Sequence, residues 1–278
     1  MISLKGTNAI VTGAGAGMGL QMTRALLASG ARVLAVDLAI GALQALEASS
    51  EGALASVECD LCAADAPMGI DKAAREHFGR PANALVNNAG LGRNAYAADY
   101  LRSAPRNWEI DDAVWQRFFA VNALGAIRLT NAVIPGMLEE GWGRIVAVTT
   151  SLDAMLRFGS GPYGASKAAL EAYAASLGAE LEATGVAVNV LLPGGPVDTS
   201  MVPETRGLDR ATLLRPDVIV APLRWLLSKE SDGVTRRRFR ANLWDPEVDA
   251  TTASETAGAP IAWSSLAAGQ MRPVQLTS

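Results

Sequence analysis

Asn8-Ala9-Ile10-Val11-Thr12-Gly13-Ala14-Gly15-Ala16-Gly17-Met18-Gly19 is the stretch on which the fold turns. A short uncharged run with β-branched residues ends in a threonine. Glycines follow at 13, 15, 17 and 19, and a helical pattern begins at 17. Strand, glycine loop and helix in that order leave a helix N-terminus facing a gap, where backbone N–H groups can hold a pyrophosphate. The spacing is not G-x-G-x-x-G. A frame on Gly13 would need glycine where Met18 stands, and one on Gly15 would need it where Leu20 stands. It fits T-G-x-x-x-G-x-G. The alternative is a glycine-rich turn that only packs helix on strand, but the strand-loop-helix context is the one a phosphate cradle requires.

Outward from this stretch, short apolar runs alternate with longer amphipathic ones. Residues 8–12, 32–37, 53–59, 84–87, 144–149 and 186–192 read as buried strands, and 17–29, 40–49, 65–78, 111–138 and 161–184 as helices. That alternation predicts an α/β fold, a doubly wound parallel sheet flanked by helices on both faces. Chemistry is then expected in the loops beyond the carboxyl ends of the strands. The connection 91–110 has no strong periodicity. The segment after Asp245, rich in Ala, Thr, Ser, Gly and Pro, reads as a tail, giving one catalytic domain over 1–245 and an extension over 246–278 that is not a separate domain.

Asp37 closes the second strand in Val33-Leu34-Ala35-Val36-Asp37. A carboxylate there can accept both hydroxyls of an adenosine ribose. A 2′-phosphate some 4 Å away would be repelled by about 2 kcal/mol even at water's dielectric, roughly 30-fold in affinity. No Arg or Lys in the glycine loop or at position 38 reverses this, so NAD is expected over NADP.

Tyr163 and Lys167 stand four apart at the start of an alanine-rich helix, which stacks a phenol and an ammonium on one face. A cation about 4 Å from the phenol, at an effective dielectric near 20, favours phenolate by roughly 4 kcal/mol, a drop of about 3 in pKa. The pair is an acid–base candidate near neutral pH.

The 278 residues are half hydrophobic, enough for one sizeable core. A net charge of −4 argues against nucleic acid or an anionic membrane surface as main partner. Arg236, Arg237, Arg238 and Arg240 are expected to flank the strand-like Phe239–Leu243 run and pair with the acidic tail or a subunit neighbour. Cys59 and Cys62 form a C-x-x-C at the end of a strand and read as reduced cytosolic thiols. The lone histidine, His77, reads as a surface or capping residue, and no cluster has metal-ligand spacing. The glycines after Lys5 make a poor signal core and no apolar run reaches the length of a membrane span, so a soluble, cytoplasmic protein is expected.

Taken together these motifs resemble the short-chain dehydrogenase/reductase family over roughly residues 4 to 245, which implies a Rossmann-type sheet. The resemblance rests on Gly13, Gly17, Met18 and Gly19 in the glycine loop, Asp37, Asp60 with Leu61 after the third strand, Asn88-Ala89-Gly90 in N-N-A-G, Asn122 in a helical V-N, Tyr163 with Lys167, and Pro193-Gly194 after the sixth strand with Val197 and Thr199 beyond. It implies adenine contact at Asp60, a water-linked proton relay from Asn122 through Lys167, and nicotinamide and phosphate contacts at Val197 and Thr199. It further implies hydride exchange between NAD and a secondary alcohol or ketone. Such enzymes are usually homodimers or homotetramers. Reduction as the physiological direction and a catalytically silent NAD-binding regulator are the rival readings; regulators usually lack the tyrosine or the lysine.

Two departures stand out. The family's substrate-orienting serine lies thirteen residues before the tyrosine, a count that falls on Thr150, while the serine is Ser151 at twelve. Ser151 is favoured on chemistry and Thr150 stays open. The loop Pro193-Gly194-Gly195-Pro196-Val197-Asp198-Thr199 is one residue longer than P-G-x-V-x-T. The pocket is expected to border Asp153 and Arg157 and the segment from Met201 to about Leu214, suiting an apolar ring or chain with one polar handle.

Overall fold

The structure, a computed structural model, describes residues 2–264. Along the chain lie β1 (Asn8–Thr12), α1 (Gly17–Ala28), β2 (Arg32–Asp37), α2 (Gly41–Ala48), β3 (Leu54–Glu58), α3 (Ala66–Phe78) and β4 (Ala84–Asn87). Next come α4 (Asp112–Phe119), α5 (Ala126–Glu140), β5 (Gly143–Val148), α6 (Leu152–Leu156), α7 (Gly161–Glu180) and β6 (Val186–Leu192). The described chain finishes with α8 (Val220–Leu226), β7 (Arg237–Arg240), α9 (Ala250–Ala257) and β8 (Gly258–Pro260). One sheet runs β3-β2-β1-β4-β5-β6-β7-β8, parallel except for β7 with β8. The strand order reverses between β1 and β4, which opens a crevice at their carboxyl ends.

Period-two alternation splits β1 between two cores. Ile10 faces a layer with Leu129, Val133, Ile145 and Leu170, under α3, α5 and α7. Ala9 and Val11 face the other layer, with Met22, Leu26, Leu223 and Phe239, under α1 and α8. Burial on both faces is why the central strands read as continuous apolar runs.

The expected helix 111–138 is not uniform. A π-helical turn over Ala120–Gly125 separates α4 from α5. Such turns are rare and frequent at functional sites. The helical stretch Asp112–Glu140 is also long and apolar enough to cross a bilayer by length and composition, which the sequence count of apolar runs did not anticipate. Its apolar stripe, Leu129, Val133 and Met137, is spent inside the first core layer.

The segment after Asp245 departs from the expected tail. Residues 258–260 pair antiparallel with β7, Ala253 and Ala257 are buried, and Ile261 enters the first core layer. The extension therefore supplies the sheet's edge as far as it is described. The remainder of the expected extension, residues 265–278, lies outside the described residues.

Candidate active site

The carboxyl ends of β1, β4, β5 and β6 surround one cavity of about 490 Å³, lined by the glycine loop, the N-N-A-G segment, Thr150, Ser151, Tyr163, Lys167 and the loop from Pro193. Backbone contact shapes its first wall. The Thr12 hydroxyl accepts the amides of Asn88 and Ala89, both at 3.1 Å, and the Asn88 side-chain amide donates to the carbonyls of Thr12 and Gly13, both at 3.0 Å. Gly13 has φ +63°, and a Cβ there would stand 2.7 Å from the Ala89 Cα. A Cβ on Gly19 would fall on the Gly13 carbonyl oxygen. Both positions exclude every side chain.

No side chain caps α1, whose first turn carries no acid, so its leading N–H groups remain for an anion. A dinucleotide's pyrophosphate fits this cradle. Asp37 lies beside the loop: its carboxylate accepts the Gly15 amide at 2.7 Å and the Ala39 amide at 3.0 Å. Asp60 is exposed and accepts the Cys62 amide, while Leu61 is buried beside Gly125. Neither of those two, nor Asp37 or Asn122, lines the cavity, whereas Gly13, Gly17, Met18, Gly19, Asn88, Ala89, Gly90, Pro193, Gly194, Val197 and Thr199 do. The longer last loop is tied by an isolated bridge to residue 214: the Leu214 amide donates to Pro196 O and the Asp198 amide to Leu214 O.

Asn122 is fully buried at the π turn. Its side chain accepts the Leu91 amide at 2.7 Å and donates to Leu91 O and Ser166 Oγ. Gly90 faces both it and Lys167: a Cβ there would meet Asn122 Oδ1 at 3.1 Å and Lys167 Nζ at 3.2 Å. Lys167 itself is buried and donates to Val148 O at 2.8 Å. Burial pushes its pKa down to about 8.

Tyr163 behaves differently from the sequence expectation. Burial raises its phenol above the usual value, and outweighs the Thr150 side chain and Arg93, which pull it back. The Lys167 ammonium is directed at the end of β5. Thr150 and Tyr163 line the cavity together, near enough for the threonine side chain to act on the phenol. The Ser151 hydroxyl is engaged elsewhere, accepting the Ala154 amide at 3.1 Å as N-cap of α6, a helix the sequence reading did not anticipate.

Within the arginine cluster, one member pairs inside the fold and not with the acidic tail. Arg238 is buried and pairs with the fully buried Glu171 of α7, Nε to Oε1 at 2.8 Å. Cys59 and Cys62 are free thiols, and burial followed by Asp60 raises both above the usual thiol value.

Burying Lys167 has a cost that pH reveals. Its pKa is about 8 folded against 10.5 unfolded, so the unfolded chain holds the proton more tightly. The penalty is complete below pH 8 and disappears as pH climbs to 10.5. Lys167→Met is expected to stabilise the fold at pH 7 by on the order of 1–3 kcal/mol, an advantage that shrinks through that window. Thermal melts from pH 7 to 10.5 check this; a variant less stable at pH 7, or an advantage growing with pH, contradicts it.

A family model described as short chain dehydrogenase matches residues 7–208. Galactitol 2-dehydrogenase (L-tagatose-forming) of Cereibacter sphaeroides is 35% identical over 69% of this chain and 72% of its own. The 3-oxoacyl-(acyl-carrier-protein) reductase of Pseudomonas aeruginosa is 30% identical over 77% and 83%. Among solved structures, the 3-ketoacyl-(acyl-carrier-protein) reductase of Brucella melitensis complexed with NADH superposes with TM-score 0.71 at 26% identity, covering 84% of this chain and 95% of that one. A protein described as an NAD(P)-dependent gluconate 5-dehydrogenase from Beutenbergia cavernae, with NADP at low occupancy, gives 0.72 at 27% identity, covering 84% and 94%. With its sheet order and glycine loop, this chain belongs to the short-chain dehydrogenase/reductase family of nicotinamide-dependent oxidoreductases.

Proposed function

We propose that the protein is an NAD-dependent dehydrogenase that interconverts a secondary alcohol and a ketone, with Tyr163 as its acid–base. The observation that carries this is the meeting of Tyr163, Thr150 and Lys167 with a glycine loop in one cavity. A bound nicotinamide dinucleotide supplies the hydride acceptor or donor. Gly13, Gly17, Met18 and Gly19 would hold its pyrophosphate, with Val197 and Thr199, the latter beside Gly17, lining the same cavity. Asp60 and Leu61, in the turn after β3, would contact its adenine.

In the oxidative direction Tyr163 Oη takes the substrate's hydroxyl proton as the phenol's own proton leaves toward Lys167, while hydride leaves the carbinol carbon for the nicotinamide. Thr150 shares a hydrogen bond with the substrate oxygen and with the phenol. Ser151 keeps its cap. Lys167, poised near its pKa of about 8, exchanges protons near physiological pH and completes the path away from Tyr163. Asn122 fixes the Leu91 backbone through two hydrogen bonds and so sets the path's wall.

Tyr163→Phe and Thr150→Ala are expected to lose kcat by on the order of 100-fold or more, and Ser151→Ala to lose stability by about 1 kcal/mol with near-normal turnover. NADH formation at 340 nm across a panel of secondary alcohols measures this; the reverse ranking of Thr150 and Ser151 would restore the serine.

Asp37 is the basis for the NAD assignment. Its oxygens accept only backbone amides, and no Arg or Lys pairs with it among the described residues. Asp37→Ser should narrow the ratio of NAD to NADP efficiency by roughly 30-fold. Equal use of both cofactors by the unsubstituted protein would overturn the preference.

The substrate end is cationic. Arg93 stacks 4.0 Å over the Tyr100 ring and pairs with no carboxylate among the described residues, while Arg157 has only the exposed Asp153 at 3.6 Å. Both line the cavity beside Leu101, Met201 and Leu213. An alcohol with an apolar body and an anionic end suits these walls. Arg93→Met should raise KM for hydroxy acids by on the order of 10-fold and leave matched uncharged alcohols unchanged. Equal loss on both classes would remove the anionic handle.

A further inference from the structure

Glu171 lies four residues beyond Lys167 and eight beyond Tyr163 on the same face of α7, and it is completely buried. Its Oε2 accepts the Thr149 hydroxyl at 2.9 Å. Its Oε1 accepts Arg238 Nε at 2.8 Å and the Ala262 amide at 3.1 Å. Arg238 in turn donates from Nη2 to the carbonyl of Thr150 at 3.1 Å. One ion pair therefore holds the side chain of residue 149 and the carbonyl of residue 150, and joins the helix bearing Tyr163 to β7 and the C-terminal segment.

These contacts fix a peptide plane. The chain leaves β5 at Val148; the Thr149 amide still donates to Leu191 O of β6 at 3.1 Å, but Thr149 to Ser151 belong to no regular element. With Thr149 turned to Glu171 and the Thr150 carbonyl turned to Arg238, the Thr150 side chain is left on the Tyr163 side. A buried ion pair of this kind often adds little net stability over an apolar pair of similar volume, although losing one partner alone is strongly destabilising. Its value here is geometric.

We propose that Glu171 and Arg238 are positioning residues, which hold the Thr149–Thr150 segment so that the Thr150 hydroxyl meets Tyr163 and the substrate oxygen. This rests on Thr150 being the orienting hydroxyl. Neither residue lines the cavity, so both act through Thr150 and not on the substrate.

The test compares the full-length protein with Glu171→Leu/Arg238→Met, with Thr150→Ala, and with all three changes combined, on the alcohol that the unsubstituted protein turns over fastest. The double variant removes both charges together, so neither is left buried alone. It is expected to keep its thermal midpoint within a few degrees and its NADH affinity by fluorescence titration, while kcat falls on the order of 10- to 100-fold at nearly constant KM. The fall should vanish in the Thr150→Ala background, because the pair has nothing left to aim. Arg238→Lys, a single conservative change that retains the charge, should recover part of kcat and carries the same comparison if the double variant does not fold. An unchanged kcat, or an equal loss with and without Thr150, overturns the inference. If Thr150→Ala alone turns over normally, the reading of Thr150 falls and the inference with it. If Thr150→Ala collapses while the pair variants do not, only the inference falls.

Discussion

Two loops at the carboxyl ends of β1 and β4 touch through their backbones, and the site depends on that contact. Thr12 is buried between them and accepts two amides from the second loop, while Asn88 returns two hydrogen bonds to the first. Any Cβ at Gly13 or Gly19 would separate the loops. No side chain caps α1, and its first residues, Gly17 to Gly19, line the cavity. Gly90 extends the same constraint toward chemistry. Lacking a side chain, it lets Asn122 and Lys167 approach the N-N-A-G turn from behind.

On that frame the protein tolerates an unfavourable arrangement. An ammonium buried against one carbonyl lowers stability, and the phenol beside it is held neutral by its burial. Local conflicts of this sort collect at functional sites and are offset by the rest of the fold. Here the offset comes from two core layers packed on both faces of the sheet.

Much of this was legible in the chain because the signals were local. The bounds of β1, β2, β4 and β6 follow directly from buried apolar runs, and α1 to α3 from amphipathic periodicity, to within one or two residues. What could not be read depends on partners distant in sequence. Gly258–Pro260 has no strand pattern of its own and becomes β8 only because β7 offers an edge. The π turn at Asn122 lies inside a seamless helical pattern, and its asparagine is bound to Leu91, 31 residues away. Arg238 reads as one more surface arginine until α7 brings Glu171 beneath it. The pKa of Tyr163 could not be reached by counting four residues to Lys167, since spacing fixes the face and burial decides the sign.

The three hydroxyls in Thr149-Thr150-Ser151 show how a family position is reassigned. From sequence alone, Ser151 looks the better substrate ligand, since it carries no methyl to crowd the site. In the fold, Thr149 is taken by Glu171 and Ser151 by the first turn of α6. Moving Ser151 inward would uncap α6, at a cost of about 1 kcal/mol. Moving Thr149 would leave a buried carboxylate oxygen without its donor, a larger cost. Thr150 alone is uncommitted, and its carbonyl is already fixed by Arg238. Of the three hydroxyls, Thr150's is thus the one that the proposed function can use without cost to the fold, since its two neighbours are held by Glu171 and by α6.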